Sequence, residues 1–313
     1  MKSNYRGILM GDIKVAIIGL DTSHGVEFAR RIAAPDCAPE LKVPGLKATM
    51  AYRFKSKFQT EEGQDKRQKL IGDWGIKTTL DLKEAVKDAD ALLLEVNDPE
   101  LHLEIFEQCA AFGKPMFLDK PPADTYANYL KICDIAAKKK IKFFSGSGMR
   151  YVPQVLNACK AVPKPIYTSV YGAIGLPYPE YPFPKAAVFY GVHTFEILNR
   201  AMGRGAVKIF AKQDHIGCIA QVEYPDKRRG LIEFTVSGWL YGGSLRMADT
   251  AEYFTLPIPY MVHNQVTDIL KEIEKFFRGG PAPVAAEDTL EIMNMIDTAK
   301  RSLESGKPEL LNK

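Results

Sequence analysis

Residues 14–24 read KVAIIGLDTSH, and the organisation of the chain follows from how that stretch is taken. After its leading lysine, 14–19 is an unbroken apolar run closed by Gly19, the composition of a strand buried on both faces of a parallel sheet. Asp21, Thr22 and Ser23 are residue types that cap a helix. Residues 26–34 supply that helix, and Pro35 stops it. Strand, tight turn and helix in this order open a doubly wound sheet.

The same alternation continues outward. Residues 46–52 (LKATMAY) form a second strand, and 57–74, mostly charged, a surface helix. A short strand at 77–80 precedes a helix at 82–87 capped by Asp81. Residues 91–96 (ALLLEV) are another buried strand. The helix 99–112 carries Pro99 early and Gly113 at its end, the expected asymmetry. Strand 115–118, helix 125–139 and strand 141–144 complete the series. Such alternation implies right-handed crossovers and a parallel sheet. Ligands in such sheets bind beyond the carboxyl ends of the strands, here the loops after Gly19, Tyr52, Val96 and Leu118.

Past about residue 147 the pattern changes. Residues 150–162 look like a linking helix. Longer alternating stretches follow at 166–173, 207–212, 218–224 and 231–237, with a hairpin turn at 225–230. A last helix at 286–305 ends before Gly306. The expected fold is therefore α/β: a Rossmann-type doubly wound parallel sheet in residues 1–147, then an α+β domain in 148–313 with an open, largely antiparallel sheet.

Composition agrees and excludes other classes. At 313 residues the chain suits about two domains of roughly 150 residues. It is 46% hydrophobic and 26% charged, with a net charge of +4. The basic runs Lys138-Lys139-Lys140 and Lys227-Arg228-Arg229 are too short for a nucleic-acid groove. No apolar run approaches the ~20 residues that cross a membrane. Residues 1–12 lack a secretory apolar core, so cytoplasm is the default expectation. Five widely spaced cysteines, with no Cys-x-x-Cys, suit neither a disulfide framework nor a zinc site; no metal site is expected.

Four loops carry candidate chemistry. Gly19-Leu20-Asp21-Thr22-Ser23-His24 stands where a Gly-x-Gly-x-x-Gly fingerprint would, with the first glycine alone present. Asp21 replaces the glycine that admits a pyrophosphate, and a carboxylate there should repel phosphate. The N–H and O–H groups of residues 21–23 can still donate to an anion, or merely start a helix. At the end of the second strand, Arg53, followed by Lys55, favours NADP over NAD, unless both are exposed loop residues. Asn97 and Asp98 can contact a nicotinamide ribose. His102, in the first turn of the next helix, is a cofactor ligand or a structural hydrogen-bonder. Asp119-Lys120-Pro121-Pro122 sets a lysine at a strand end and fixes its direction with two prolines. A positioned ammonium can donate to a substrate oxygen; the plain alternative is a surface lysine beside Asp119. In the second half, Phe189-Tyr190-Gly191-Val192-His193 precedes an apolar helix ending at Gly203. There His193 is placed for proton transfer, if it faces the cleft. The proline-aromatic stretch 176–185 reads as a lid or as packing.

Together these features resemble the Gfo/Idh/MocA family, which includes glucose–fructose oxidoreductase and inositol dehydrogenase. The likeness runs from Lys14 to about Leu310. It rests on Asp119-Lys120-Pro121 for Glu-Lys-Pro, on Arg150-Tyr151-Val152-Pro153, on Gly191-Val192-His193-Thr194-Phe195-Glu196 for Gly-x-His-x-x-Asp, and on the closing helix. The resemblance implies NAD(P) in the first domain and a sugar or polyol substrate against the second. It also implies a homo-oligomer, dimer or tetramer, built on the open sheet. Lys120 would orient the reacting hydroxyl and His193 would exchange its proton, with Arg150 and Tyr190 beside the substrate and Gly19 to His24, Arg53, Asn97, Asp98, His102 and Asp119 toward the cofactor. Two departures stand out: the single-glycine turn, and Phe189 where many members carry an Asp. They leave open a non-catalytic dinucleotide or sugar sensor, and NAD-assisted elimination or glycoside cleavage.

Overall fold

Thr22 begins the first helix by accepting the His24 N–H at its hydroxyl. A computed structural model describes residues 11–173, 188–235 and 239–312, without the side chains of 258–263. The lid-like stretch 176–185 lies outside the described residues. The first half builds β1 (Ile13–Ile18), α1 (Ser23–Ala33), β2 (Leu46–Tyr52), α2 (Glu61–Asp73), β3 (Lys77–Thr79) and α3 (Leu82–Val86). It continues with β4 (Ala91–Leu94), α4 (His102–Ala110), β5 (Met116–Leu118), α5 (Tyr126–Lys139) and β6 (Phe143–Ser145). The six strands are parallel, in the order β3-β2-β1-β4-β5-β6. This is the doubly wound order, with its crevice where the strand sequence reverses between β1 and β4.

The second half builds α6 (Pro153–Ala161), β7 (Tyr167–Ala173), α7 (Val192–Met202), β8 (Lys208–Gln213), β9 (Gly217–Glu223) and β10 (Arg229–Thr235). It ends with β11 (Tyr241–Arg246), β12 (Ala251–Leu256), α8 (Ile258–Phe277), α9 (Ala286–Ser305) and β13 (Glu309–Leu310). Its seven strands run in the order β12-β11-β7-β10-β9-β8-β13, antiparallel except for β7 beside β10.

Several boundaries differ from the sequence reading, each for a local reason. The first helix starts at Ser23 rather than 26 because Thr22 caps it. The charged helix starts at Glu61 rather than 57, capped by Thr60 through the Gly63 N–H. The linking helix breaks into a 3₁₀ turn, Gly148–Tyr151, and α6, because Pro153 lacks an N–H and begins a helix rather than continuing one. Strands β11 and β12 and helix α8 were not foreseen. Gly242-Gly243 hides β11, since glycine carries no strand signal; a Cβ on Gly243 would stand 2.1 Å from the Ser169 carbonyl oxygen.

Helix α8 belongs to the second half in sequence and to the first in packing. Its Leu270 and Ile273 are fully buried in one apolar cluster with Ile13, Val15, Ile17 and Phe28. Each such side chain contributes about 1.5–3 kcal/mol on burial, more than the ~0–1 kcal/mol of a surface ion pair. The opposite face of the first sheet and the inner face of the second share a single core. Among the described residues no helix is long and apolar enough to cross a membrane.

Gly19 is the tight point at the mouth of the first sheet. Its φ is +117°, and an added Cβ would stand 2.1 Å from the Glu95 carbonyl oxygen. Gly19→Ala is expected to cost at least about 1–3 kcal/mol in urea unfolding; a variant as stable as the parent contradicts this packing.

Candidate active site

The carboxyl ends of β1, β2, β4 and β5 converge, as the topology requires, and Asp21 joins three of the loops. Its carboxylate accepts the Ser56 hydroxyl at 2.8 Å and the Asn97 N–H at 3.1 Å. It is 2% exposed, and burial raises its carboxyl against these hydrogen bonds. Asp21 is thus turned into the protein, which removes the objection that its charge would face a phosphate. A second glycine does part of the fingerprint's work. Gly25 lies one position past the fingerprint's third glycine, and a Cβ there would sit 2.7 Å from the Gly19 carbonyl oxygen. It lets α1 lie close on the β1 turn, and the shifted spacing is why the motif was not read.

Thr22, Ser23 and His24 line a cleft of about 440 Å³. Arg67, Asn97 and Lys120 line it from the same half, and Phe189, Tyr190, His193, Trp239, Tyr241 and Gln265 from the other. Arg67 reaches from α2 to donate to the Leu20 carbonyl at 2.8 Å. Trp239 and Tyr190 pack edge to face at 5.1 Å. A narrower void of about 20 Å³ lies deeper, bordered by His24, Asp119, Lys120 and His193.

Asp119 anchors the lysine turn. One carboxylate oxygen accepts the Lys120 N–H at 2.7 Å, and the other accepts His24 Nδ1–H at 2.8 Å. Burial works to raise its carboxyl, but His24 and Lys120 outweigh burial and hold it down at about 2. The peptide bond from Lys120 to Pro121 is cis. The Lys120 ammonium lies 5.6 Å from the centre of the Phe189 ring, a cation–π contact. Phe189 also stacks on Phe58 from the loop after β2, with rings 6.0 Å apart. The aromatic residue that replaces the expected carboxylate therefore joins the two halves and faces the lysine.

His193 opens α7 and is 7% exposed. Its Nδ1 lies 2.6 Å from the Ser147 hydroxyl, which also accepts the Met149 N–H. Burial, with the charges of Lys120 and His24 adding to it, holds the imidazole well below its ordinary value. Ser147 was missed because β6 was not counted among the strand ends to inspect, although the same rule applies to it. Gln265 and Tyr241 were missed with the elements that carry them, α8 and β11.

Besides Asp21, four expected site residues point elsewhere. The Arg53 guanidinium is bound by Asp65 at 2.5 Å and Glu61 at 2.5 Å, with Gln68 at 3.0 Å. Two carboxylates already balance its charge. Asp98 caps the turn at Glu100 and pairs with Lys57 at 2.9 Å. His102 is 1% exposed, with Nε2 2.8 Å from the Val96 carbonyl, and burial lowers its pKa. It serves as an internal tie. Arg150 is 4% exposed and donates to the Glu196 carboxylate at 2.6 Å and to Asn199 at 3.1 Å. Its guanidinium is spent on this buried pair rather than on the cleft. Glu95 is fully buried, and neither of its carboxylate oxygens has a hydrogen-bond partner. Burial, reinforced by the Asp119 charge, raises its carboxyl well above the usual range.

No family model matches the sequence, and no curated protein matches it by sequence. Comparison with solved structures is informative. The myo-inositol 2-dehydrogenase of Lactobacillus plantarum superposes with a TM-score of 0.79 at 15% identity, over 96% of this chain and 100% of that one. The scyllo-inositol dehydrogenase of Lactobacillus casei gives 0.78 at 14%, over 96% and 98%. GenD2 from gentamicin A biosynthesis, solved with NAD, gives 0.79 at 14%, over 97% and 98%. The fold is the one that these solved dehydrogenase structures share. The superposition spans both sheets and the helices between them, so the likeness covers the whole architecture and not the nucleotide-type half alone.

The buried imidazole gives a test of this electrostatic description. His193 should stay neutral as pH falls through the ordinary imidazole range, and its NMR ring signals should show no titration near the ordinary pKa of about 6.5. The unfolded chain binds a proton that the folded site refuses, so this residue makes stability fall as pH drops below about 6.5. A midpoint at or above about 6.5 contradicts the assignment.

Proposed function

We propose that the chain is an NAD(P)-dependent oxidoreductase that moves a hydride to or from the CH–OH carbon of a sugar, polyol or related hydroxy compound. The observation that carries this reading is the meeting of Lys120, from the end of β5, and His193, from the start of α7, in one cleft. The fold shared with inositol dehydrogenases adds support.

The residues present fit a dinucleotide. Gly19 and Gly25 bring the β1 turn and α1 close together, where a Cβ at either position would clash. Thr22, Ser23 and Arg67 line the cleft at the helix N-terminus, a setting suited to a diphosphate. Asn97 lies beside them for a ribose. When bound, the nucleotide supplies the hydride acceptor or donor. Arg53, engaged by Glu61 and Asp65, offers no argument for a 2′-phosphate, so the preference for NADP over NAD loses its support.

Lys120 donates a hydrogen bond to the reacting oxygen and fixes its direction, since the Asp119 side chain and the prolines hold the lysine turn. His193 takes or returns the hydroxyl proton at Nε2, because Nδ1 is engaged by Ser147. The Ser147 hydroxyl accepts from Nδ1–H, which leaves the Nε2 lone pair free as the base; on taking the proton the ring becomes an imidazolium that still donates to Ser147. Because the imidazole resists protonation by burial, it serves as a base at neutral pH. We also propose a homo-oligomer formed through the open face of the second sheet, where Ile219 is 48% and Tyr253 74% exposed.

Steady-state absorbance at the nicotinamide band, with a panel of polyols and ketoses, tests the reading. Lys120→Ala should lower kcat/KM by roughly 10²–10⁴ for any substrate turned over. Unchanged turnover in that variant would remove Lys120 from the chemistry.

A further inference from the structure

Glu95 has no role in the reaction above, yet it occupies the most protected position in the site. It is 0% exposed, and neither carboxylate oxygen meets a donor. The other buried carboxylates here are served: Asp21 by Ser56 and Asn97, Asp119 by His24 and Lys120, Glu196 by Arg150. An unpaired buried carboxylate calls for a counter-charge. Its neighbours supply the remainder of a coordination sphere. One ligand atom each from His24, Glu95 and Asp119 lies within 4.8 Å of the other two.

We propose that His24, Glu95 and Asp119 bind one divalent cation of the Zn²⁺ or Mn²⁺ class. Glu95 and Asp119 directly follow the ends of β4 and β5, and His24 stands in the first turn of α1, just past the end of β1. Donors sharing an ion at roughly 2.0–2.2 Å stand about 3–4.4 Å apart. The observed spacing is a small side-chain adjustment from that. In closing on the ion, Asp119 and His24 would exchange their mutual hydrogen bond for two metal bonds. An imidazole with two carboxylates suits zinc or manganese better than magnesium or calcium, which prefer oxygen throughout. Lys120 and the positive end of α1 lie close by and oppose weakly bonding cations. The two carboxylates neutralise a dication, so Glu95 gains its missing partner without adding net charge.

The surroundings leave a place for a fourth ligand. The void of about 20 Å³ borders His24 and Asp119 on one side and Lys120 and His193 on the other. That is room for about one water. An ion bound there would present an acidified water, or a substrate oxygen in its place, to Lys120, which orients the reacting oxygen, and to His193, which exchanges its proton.

The test uses the full chain, stripped with a chelator and desalted. ZnCl₂ is titrated against a chromophoric competitor, and MnCl₂ is followed by water-proton relaxation. One ion per chain is expected with at least one of the two metals. Glu95→Gln and His24→Ala should each weaken binding at least tenfold. The ion should raise the melting temperature of the parent and not of Glu95→Gln. His24 is partly exposed whereas Glu95 is fully buried, so that variant guards against misfolding of the other; circular dichroism checks both. Absence of stoichiometric binding in the parent, or unchanged affinity in either folded variant, overturns the site. Glu95 would then be a neutral buried acid, visible as a protonated carboxyl stretch in the infrared.

Discussion

Burial of Leu270 and Ile273 of α8 against the face of β1 fixes the two halves of the chain relative to one another. The helix follows β12 of the second sheet and packs on the first. The second half is thereby returned to the mouth of the first sheet, with α7 and the loop before it over the β5 turn. The cleft is a product of that return. Phe189 on Phe58 closes the same contact at the rim. Without such packing, Lys120 and His193, 73 positions apart by their numbers in the chain, would have no reason to share a site.

Within this frame the charges are arranged in layers. Asp119 lies beneath the lysine turn and is kept ionised by His24 and Lys120. Lys120 faces an aromatic ring where a carboxylate was expected. His193 is kept neutral by burial and the neighbouring positive charges. A hydrogen-bonding lysine beside a neutral imidazole suits proton exchange at a hydroxyl. A carboxylate in place of Phe189 would have paired with the lysine. The replacement leaves the ammonium directed by packing and backbone rather than by an ion pair.

The first sheet was legible because its strands are continuous apolar runs separated by helix signals, and β2 was read to the residue. The closing helix, Ala286–Ser305, was equally plain from its acidic start and its Gly306 stop. Lys120 stood out because two prolines follow a lysine at a strand end, and His193 because it opens an apolar helix. Arg53 and Arg150 misled for one reason: a sequence shows a charge but not its partners. Glu61 and Asp65 lie 8 and 12 positions from Arg53, and Glu196 lies 46 from Arg150. Glu95 was hidden inside the run ALLLEV, where a single acid looks like the end of a strand. Its burial beside His24 and Asp119 is a property of three loops meeting.

The central claim is that the cleft takes a nicotinamide nucleotide. Calorimetric titration of the protein with NADH and with NADPH tests this most directly. The account predicts saturable binding of at least one of them, at one site per chain and lost in Arg67→Ala. Failure of both nucleotides to bind would contradict it.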